Sequence, residues 1–350
     1  MIEEFALIRR LTAKGGRETK PNSPPLTVGI GDDAAVAPLT PGFQMVLACD
    51  TMTEEIHFKP ITMKPEDVGY KALASNISDM AAMGAVPRYA LVALTVSDKV
   101  QQQWLDRLYD GLYECAEQYG VSVAGGDVSS TLGGVVISVT IVGEVEADSV
   151  LLRSAAKAGD IVAVTGPLGR SAAGLHYLLE RRIDADKLLL ELEEAYRELV
   201  AAHQRPQPRV QAGRLLLRSA SRAACNDVSD GLASESWEIA EASGCGIIIE
   251  ETRLPLTANL QAYAERTGMD PLQWVLYGGE DYELLTCIPA DEFSRVEQSF
   301  REQGLPLYRI GAVTDEWAGV KLLDKDQQLN PIAKGGYNHF QEKAGETEHA

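Results

Sequence analysis

Acidic residues flanked by glycine or serine recur along the 350-residue chain. Their motifs are Gly31-Asp32-Asp33, Asp50-Thr51, Ser78-Asp79, Gly125-Gly126-Asp127, Asp227-Val228-Ser229-Asp230-Gly231 and Gly278-Gly279-Glu280-Asp281. If these acids converge on one site, their charges repel one another, and bound cations relieve that repulsion. Carboxylate oxygens are ligands that favour Mg²⁺, Mn²⁺ or Ca²⁺. The motifs therefore predict a site with several metal ions, and such sites commonly act on phosphates.

Each acid alone has an ordinary structural explanation, because aspartate is common in turns and at helix N-caps. Two pairs are harder to explain in this way. Asn76/Asp79 and Asp227/Asp230 each have i,i+3 spacing among small residues that would let a ligand approach. The P-loop signature G-x-x-x-x-G-K-[ST] does not occur in the sequence. Metal ions would therefore neutralise most of the phosphate charge of a bound nucleotide.

The composition narrows the class of protein. A formal net charge of −19 disfavours binding to nucleic acid or to an anionic membrane. The five cysteines are scattered, with no C-x-x-C pair, which favours a reducing cytoplasm over a disulfide framework or a zinc site. Residues 1–12 predict a short amphipathic helix rather than a signal peptide. No apolar run approaches the ~18–20 residues that cross a bilayer, so we expect a cytoplasmic protein.

Hydrophobic periodicity predicts alternating strands and helices, with the acids at strand-to-helix turns. Predicted helices are 65–84, 100–119, 170–182 and 234–243, and 184–205 is expected to form one or two solvated helices away from any site. Predicted strands are 45–48, 89–96, 121–124, 135–145, 161–164, 247–250 and 283–288, and the segment 224–231 carries the acids of the second half. The sequence thus predicts an α/β (α+β) fold of two α/β domains.

The amino-acid composition changes at 147–160, where Arg, Ala and Gly accumulate. We place the predicted domain boundary there. The N-terminal domain is then 1–148, with a mobile loop at 13–27, where Gly and Pro are frequent. The C-terminal domain is 149–340, and 341–350 is expected to be a disordered tail.

Eight ordered motifs between about residues 30 and 340 resemble the thiamine-monophosphate kinase family. They are GIGDDAAV (29–36), CDTMTEEIHF (49–58), KALASNISDMAAMGAVP (71–87), GGDVSS (125–130), VTGPLGRSAAGL (164–175), NDVSDGLASE (226–235), GGEDYELL (278–285) and GYNHF (336–340). The superfamily also contains aminoimidazole ribonucleotide synthetase, selenophosphate synthetase and a hydrogenase-maturation protein. GGEDYEL and the closing GYNHF point to the thiamine branch.

The resemblance implies an N-terminal domain whose sheet pairs with that of its partner in a homodimer, and a C-terminal domain that closes over the cleft. It also implies an enzyme that transfers the γ-phosphoryl group of ATP directly to thiamine monophosphate, giving thiamine diphosphate and ADP, with several Mg²⁺ ions. ATP and thiamine monophosphate are then the expected partners, with no nucleic acid and no membrane.

The resemblance also implies a role for individual residues. The Mg²⁺ ligands would be Asp33, Asp50, Asp79, Asp127, Asp227 and Asp230, with Asp32 as a helper and Cys49 binding through its backbone carbonyl. ATP would contact Tyr109, Gly126, Asp127, Arg153 and Ser229, with Tyr109 as an aromatic platform for adenine. Thiamine phosphate would contact His57, Glu280 and Tyr337. Asp127 and Asp230 are expected to be the most critical for turnover.

The chain departs from the family pattern near two of these residues. Ala48 and Cys49 replace the usual hydroxyl residues, and Glu55 stands where glycine is frequent. Two alternatives stay open at this point. One is another ATP-dependent synthetase of the same superfamily, and the other is a non-catalytic nucleotide or metal sensor.

Overall fold

The structure is a computed structural model that describes residues 10–12, 24–28, 30, 34–182 and 192–336. Their strands form two sheets with helices packed on them, which confirms the predicted mixed α/β class. Several predictions lie outside the described residues: Asp32, Asp33, Tyr337, the segment 13–23 of the predicted mobile loop and the predicted tail 341–350.

The first sheet has four strands in the order β1-β4-β2-β3. Strand β4 pairs antiparallel with β1 and β2, and β2 pairs parallel with β3. The strands are β1 (Phe43–Thr53), β2 (Val86–Val96), β3 (Ser122–Ser130) and β4 (Val136–Glu146). Strands β1, β2 and β3 are longer than predicted, so Asp50 and Asp127 lie inside β1 and β3. The prediction that they occupy strand-to-helix turns was wrong, because strand pairing continues through the small polar residues around them.

Two helices, α1 (Pro65–Ala82) and α2 (Gln102–Tyr119), cover one face of this sheet. Both agree with the predicted helices, because Pro65 suits a first helical position and Gly120 ends α2 in a left-handed conformation. On the opposite face of the sheet, large apolar side chains are exposed. Met45, Leu47 and Leu91 are 53%, 62% and 42% exposed.

The second sheet has seven strands in the order β11-β10-β7-β9-β5-β8-β6 and mixes parallel with antiparallel pairs. The strands are β5 (Ile161–Val164), β6 (Ala224–Asp227), β7 (Gly246–Glu250), β8 (Leu284–Ile288), β9 (Tyr308–Thr314), β10 (Gly319–Leu323) and β11 (Leu329–Pro331). Strands β5, β7 and β8 match the predicted strands closely, and β6 begins the segment 224–231 that carries the acids. The sequence pattern did not predict β9, β10 and β11.

Seven described helices accompany the second sheet. They are α3 (Arg170–Arg181), α4 (Arg197–Gln204), α5 (Val210–Ser219), α6 (Leu232–Ser243), α7 (Ala258–Thr267), α8 (Pro271–Tyr277) and α9 (Ala290–Glu302). The prediction that 184–205 is solvated was wrong for the part that the structure describes, because Leu199, Val200 and His203 of α4 are buried.

Helix α1 belongs to the cores of both halves of the molecule. Its middle packs on the first sheet, while Ala81 and Ala82 share a buried cluster with Leu216 of α5 and Phe293 of α9. The approach is close enough that a Cβ atom at Gly213 of α5 would overlap the backbone oxygen of Ala81. The position of the second half is therefore fixed through the backbone of α1.

No helix in the described ranges combines the length and the apolar character that a membrane crossing requires.

The crossing of α1 and α2 gives a prediction for stability. A Cβ atom at Gly111 would overlap the backbone oxygen of Glu66. Gly111→Ala should therefore cost about 3 kcal/mol of overpacking, more than the ~1 kcal/mol that alanine gains in a helix interior. We expect a thermal midpoint several degrees below that of the wild type. Gly133→Ala is the matched control, because its Cβ atom meets only Thr131 Oγ1 at 3.6 Å, and equal midpoints for both variants would contradict the prediction.

Candidate active site

A cleft of about 980 Å³ lies between the two halves of the molecule. The first sheet and its connections contribute Asp50 and His57, and α1 contributes Asp79. Asp230 and Glu280 line the opposite side. The cleft therefore gathers acids that are far apart in the sequence.

Three carboxylates influence one another at the bottom of this cleft. Asp50 extends from β1, Asp79 from α1 and Asp227 from the end of β6. Burial and the negative charges of Asp227 and Asp50 raise the pKa of Asp79 to about 8. Burial also raises the pKa of Asp227, against the opposing effect of a hydrogen bond from Ser78, and partial desolvation raises that of Asp50. The ionised forms are therefore destabilised unless a cation joins them.

Helix α1 orients two of these acids through neutral side chains. The backbone N–H of Asp50 donates to Asn76 Oδ1 at 3.0 Å. Ser78 Oγ donates to Asp227 Oδ2 at 2.7 Å, across the boundary between the two halves. Asn76 and Asp79 thus contribute to one site, as their i,i+3 spacing predicted.

A buried hydrogen-bond network supports the loop after β6. Glu235 Oε1 accepts the backbone N–H of Asp230 at 2.9 Å, and Asn226 Nδ2 donates to Glu235 Oε2 at 2.7 Å. Burial and neighbouring acids, including Glu238, raise the pKa of Glu235. Sequence reasoning missed Glu235 and Asn226 as supports, although both lie within the quoted motif at 226–235.

His57 lies on a tight loop after β1 and lines the cleft. The backbone N–H of Thr53 donates to His57 Nδ1 at 2.9 Å, so the neutral ring carries its proton on Nε2. Glu55 in the same loop has φ +67°, a left-handed conformation that glycine adopts more easily. This conformation explains why glycine is frequent at the position, and Glu55 adopts it despite its side chain.

Glu280 is held by three contacts on the C-terminal side of the cleft. Its backbone, at φ +68°, donates to the carbonyl of Ser229 at 2.6 Å. Its Oε2 atom lies 2.6 Å from Lys71 Nζ and 3.3 Å from His203 Nδ1. Burial alone would raise the pKa of Glu280, but Lys71 and His203 outweigh it and lower the pKa to about 2. Glu280 is therefore ionised.

Aromatic and aliphatic side chains form another wall of the cleft. Trp274 stacks on Tyr263 with ring centroids 5.6 Å apart, and His176 Nδ1 lies 2.8 Å from the Tyr263 hydroxyl. Tyr277 and Leu175 extend this wall. The quoted motifs include Leu175 but not the aromatic residues of this wall, Trp274, Tyr263, His176 and Tyr277.

The structure does not bring every predicted site residue to the cleft. Tyr109 is buried in the core around α2, next to Tyr113. Gly126 and Asp127 lie on β3, three strands away from β1, which is about 14 Å at the usual strand spacing. In β3, Asp127 Oδ2 accepts a hydrogen bond from Ser129 Oγ at 2.9 Å.

Arg153 lies in a 3₁₀ turn before β5 and contacts Asn226 and Glu238. Its Nε donates to Asn226 Oδ1 at 2.9 Å, and its Nη1 lies 3.1 Å from Glu238. Ser229 and Cys49 do line the cleft. Of the residues predicted to contact ATP, Ser229 alone is among those lining it.

Within the described ranges, no group of three or more His, Cys, Asp and Glu side chains is arranged to hold a metal ion. The described carboxylates nevertheless supply the hard oxygen donors that Mg²⁺ prefers, and they destabilise one another without a cation. Mg²⁺ is usually bound through one or two carboxylates together with substrate phosphates. The donor set therefore fits metal ions that arrive with a phosphate ligand.

Comparison with protein families matches both halves of the chain. Residues 31–145 match the family model "AIR synthase related protein, N-terminal domain", and residues 157–322 match "AIR synthase related protein, C-terminal domain".

Individual proteins match over nearly the whole length. A thiamine-monophosphate kinase of Bacillus subtilis (strain 168) is 42% identical over 339 residues, which cover 97% of this chain and 100% of that protein. The crystal structure of thiamine-monophosphate kinase from Stenotrophomonas maltophilia K279a has a TM-score of 0.78 and 34% identity, covering 92% of this chain and 96% of that one. AaThiL complexed with AMPPCP and TMP has a TM-score of 0.75 and 31% identity, covering 96% and 97%.

The crowded carboxylates predict a gain in stability when one is neutralised. In the presence of a chelator, Asp79→Asn should raise the free energy of unfolding by at least about 1 kcal/mol, because the buried charge and its repulsion disappear. The folded-state pKa of Asp79 is raised, so the penalty is complete above that pKa and becomes small as the pH falls to the ordinary pKa of aspartate. Thermal unfolding at pH 9 and pH 4 measures the difference.

The control is Asp98→Asn, which removes the same charge from an exposed position. Two results would contradict the inferred repulsion. One is an unchanged free energy of unfolding for Asp79→Asn at pH 9, and the other is an equal increase for Asp98→Asn.

Proposed function

The chain belongs to the thiamine-monophosphate kinases among the AIR synthase related proteins, and we propose that it transfers the γ-phosphoryl group of ATP directly to the phosphate of thiamine monophosphate. The complex of AaThiL with AMPPCP and TMP supports the choice of both substrates. The observation that carries the proposal is the meeting of Asp50, Asp79 and Asp227 at one cleft.

Asp50, Asp79, Asp227 and Asp230 would hold Mg²⁺ in this cleft. Bound Mg²⁺ neutralises the two polyanionic substrates and stabilises the charge that develops during transfer. Asp33, Asp127 and the backbone carbonyl of Cys49 remain proposed ligands from the family resemblance.

The residues of the cleft mainly position the two phosphates. His57 and Lys59 line the cleft, and they would bind phosphate oxygens through Nε2–H and the ammonium group. The acceptor phosphate is already ionised near neutral pH, so the transfer needs no strong general base. The rate then depends on in-line alignment of the donor and acceptor, for which effective molarities are large.

The aromatic wall and Glu280 suit the other end of thiamine monophosphate. Trp274 and Tyr277 offer flat apolar surfaces to its rings. The ionised carboxylate of Glu280 suits the positive charge of the thiazolium ring, which aromatic faces also attract. Tyr337 is kept as a proposed contact from the family resemblance.

For ATP, we keep Tyr109, Gly126, Asp127, Arg153 and Ser229 as proposed contacts. We also propose a homodimer, formed by the face of the first sheet that is opposite α1 and α2. Its exposed apolar side chains support this proposal, because exposed apolar patches commonly mark protein interfaces.

A turnover assay tests the reaction. Purified protein should form ADP and thiamine diphosphate only when ATP, Mg²⁺ and thiamine monophosphate are all present, because each phosphate group needs its cations. Mixtures that lack one component are the controls. Absence of thiamine diphosphate from the complete mixture would overturn the proposal.

Replacement of single acids tests the metal assignment. Asp230→Asn and Asp127→Asn should each lower kcat at least ~100-fold, because lost electrostatic stabilisation of the transition state has that magnitude. Both variants should keep the wild-type circular dichroism spectrum. The exposed Asp98→Asn is the control and should keep full activity, and an unchanged kcat in both site variants would refute the assignment.

A further inference from the structure

Lys71 is a charged residue with no solvent exposure, on the helix that both halves of the molecule share. Its ammonium group reaches from α1 to Glu280, which belongs to the loop after α8. We propose that Lys71 is a positioning residue that fixes the Glu280 carboxylate for the cationic end of the substrate, with His203 as its assistant. This inference rests on the function proposed above.

Stability does not explain the placement of Lys71. Burial lowers the pKa of its ammonium group, against the attraction of Glu280. A buried ion pair often contributes no more than apolar residues of the same volume would, because desolvation offsets the attraction. Lys71 Nζ also makes no hydrogen bond of good geometry to any other described residue. Its one close partner is therefore a residue that lines the cleft.

Glu280 borders the cleft while its carboxylate also contacts Lys71 and His203. Lys71 Nζ and His203 Nδ1 both approach the Oε2 atom of Glu280. The Glu280 side chain is 25% exposed, and the residue lines the cleft. One oxygen is thus tied to the protein while the carboxylate as a whole still borders the ligand space.

Helix α1 links this carboxylate to the other end of the cleft. Lys71 and Asp79 are eight residues apart in α1, about 12 Å along a helix axis. One rigid element therefore fixes the distance between Glu280 and the crowded carboxylates at Asp79. A fixed charge costs little reorganisation when the substrate binds, and preorganisation of this kind raises affinity.

His203 reaches the same oxygen from the C-terminal side. Burial and the charge of Lys71 lower the pKa of its ring, against the effect of Glu280. Nδ1 lies 3.3 Å from both Glu280 Oε2 and Ser171 Oγ, and Nε2 has no partner among the described residues. His203 can therefore support the carboxylate without replacing Lys71, because it supplies less positive charge.

Steady-state kinetics of Lys71→Met, Glu280→Gln and the double variant test the proposal. Lys71→Met should raise KM for thiamine monophosphate about tenfold and leave KM for ATP within about twofold, because the change concerns one end of one substrate. Glu280→Gln should have a similar effect. The double variant should equal Glu280→Gln alone, because Lys71 then has no carboxylate to position.

Arg214→Met is the matched control. Arg214 also joins the two halves, with Nη1 2.8 Å from Glu146 Oε2 and 2.6 Å from the carbonyl of Gly84, but it does not line the cleft. Its removal should leave both KM values unchanged.

Several results would overturn the inference. They are an unchanged KM for thiamine monophosphate in folded Lys71→Met, additive effects in the double variant, or equal increases in both KM values. If Lys71→Met does not fold, His203→Asn takes its place, with an expected increase of about threefold in the same KM and an unchanged KM overturning the inference. A wild-type protein without turnover would instead refute the proposed function, so the two failures are distinguishable.

Discussion

The mutual repulsion of Asp50, Asp79 and Asp227 is the constraint around which the rest of the molecule is arranged. Isolated burial of such charges is costly, so each needs a neighbour that stabilises it. From helix α1, Ser78 donates to the Asp227 carboxylate, and Asn76 accepts the backbone N–H of Asp50 and so fixes its position. The remaining negative charge favours the binding of cations. Cations bound there can in turn bind phosphate groups.

The sequence predicted those parts of the fold and the site that depend on local signals. Pro65 and Gly120 mark helix ends, and hydrophobic periodicity predicted the strands of the first sheet and the start of the second. The acidic motifs predicted that acids would converge on one site, and the structure brings Asp50, Asp79 and Asp227 to one cleft. The likeness to a known family supplied the substrates, which no residue pattern could have specified.

Other features depend on contacts that are remote in the sequence. Lys71 and His203 have no spacing that indicates an ion pair with Glu280, because the three residues meet only when the two halves pack together. The extent of β1 and β3 depends on pairing with β4 and β2, which continues past the polar residues that suggested strand ends. The distance between Asp127 and Asp50 depends on the order of the strands in the sheet. That order cannot be deduced from the sequences of the strands alone.

Helix α1 also bears on how the molecule unfolds. Ala81 and Ala82 lie in the same buried cluster as Leu216 and Phe293, so the core of the second half is incomplete without the first. Neither half can then open alone without exposing apolar surface of the other, and the two should melt in one cooperative transition. The amide hydrogens of α1 would be exchanged with solvent only through that global opening, and they would be among the slowest in the protein.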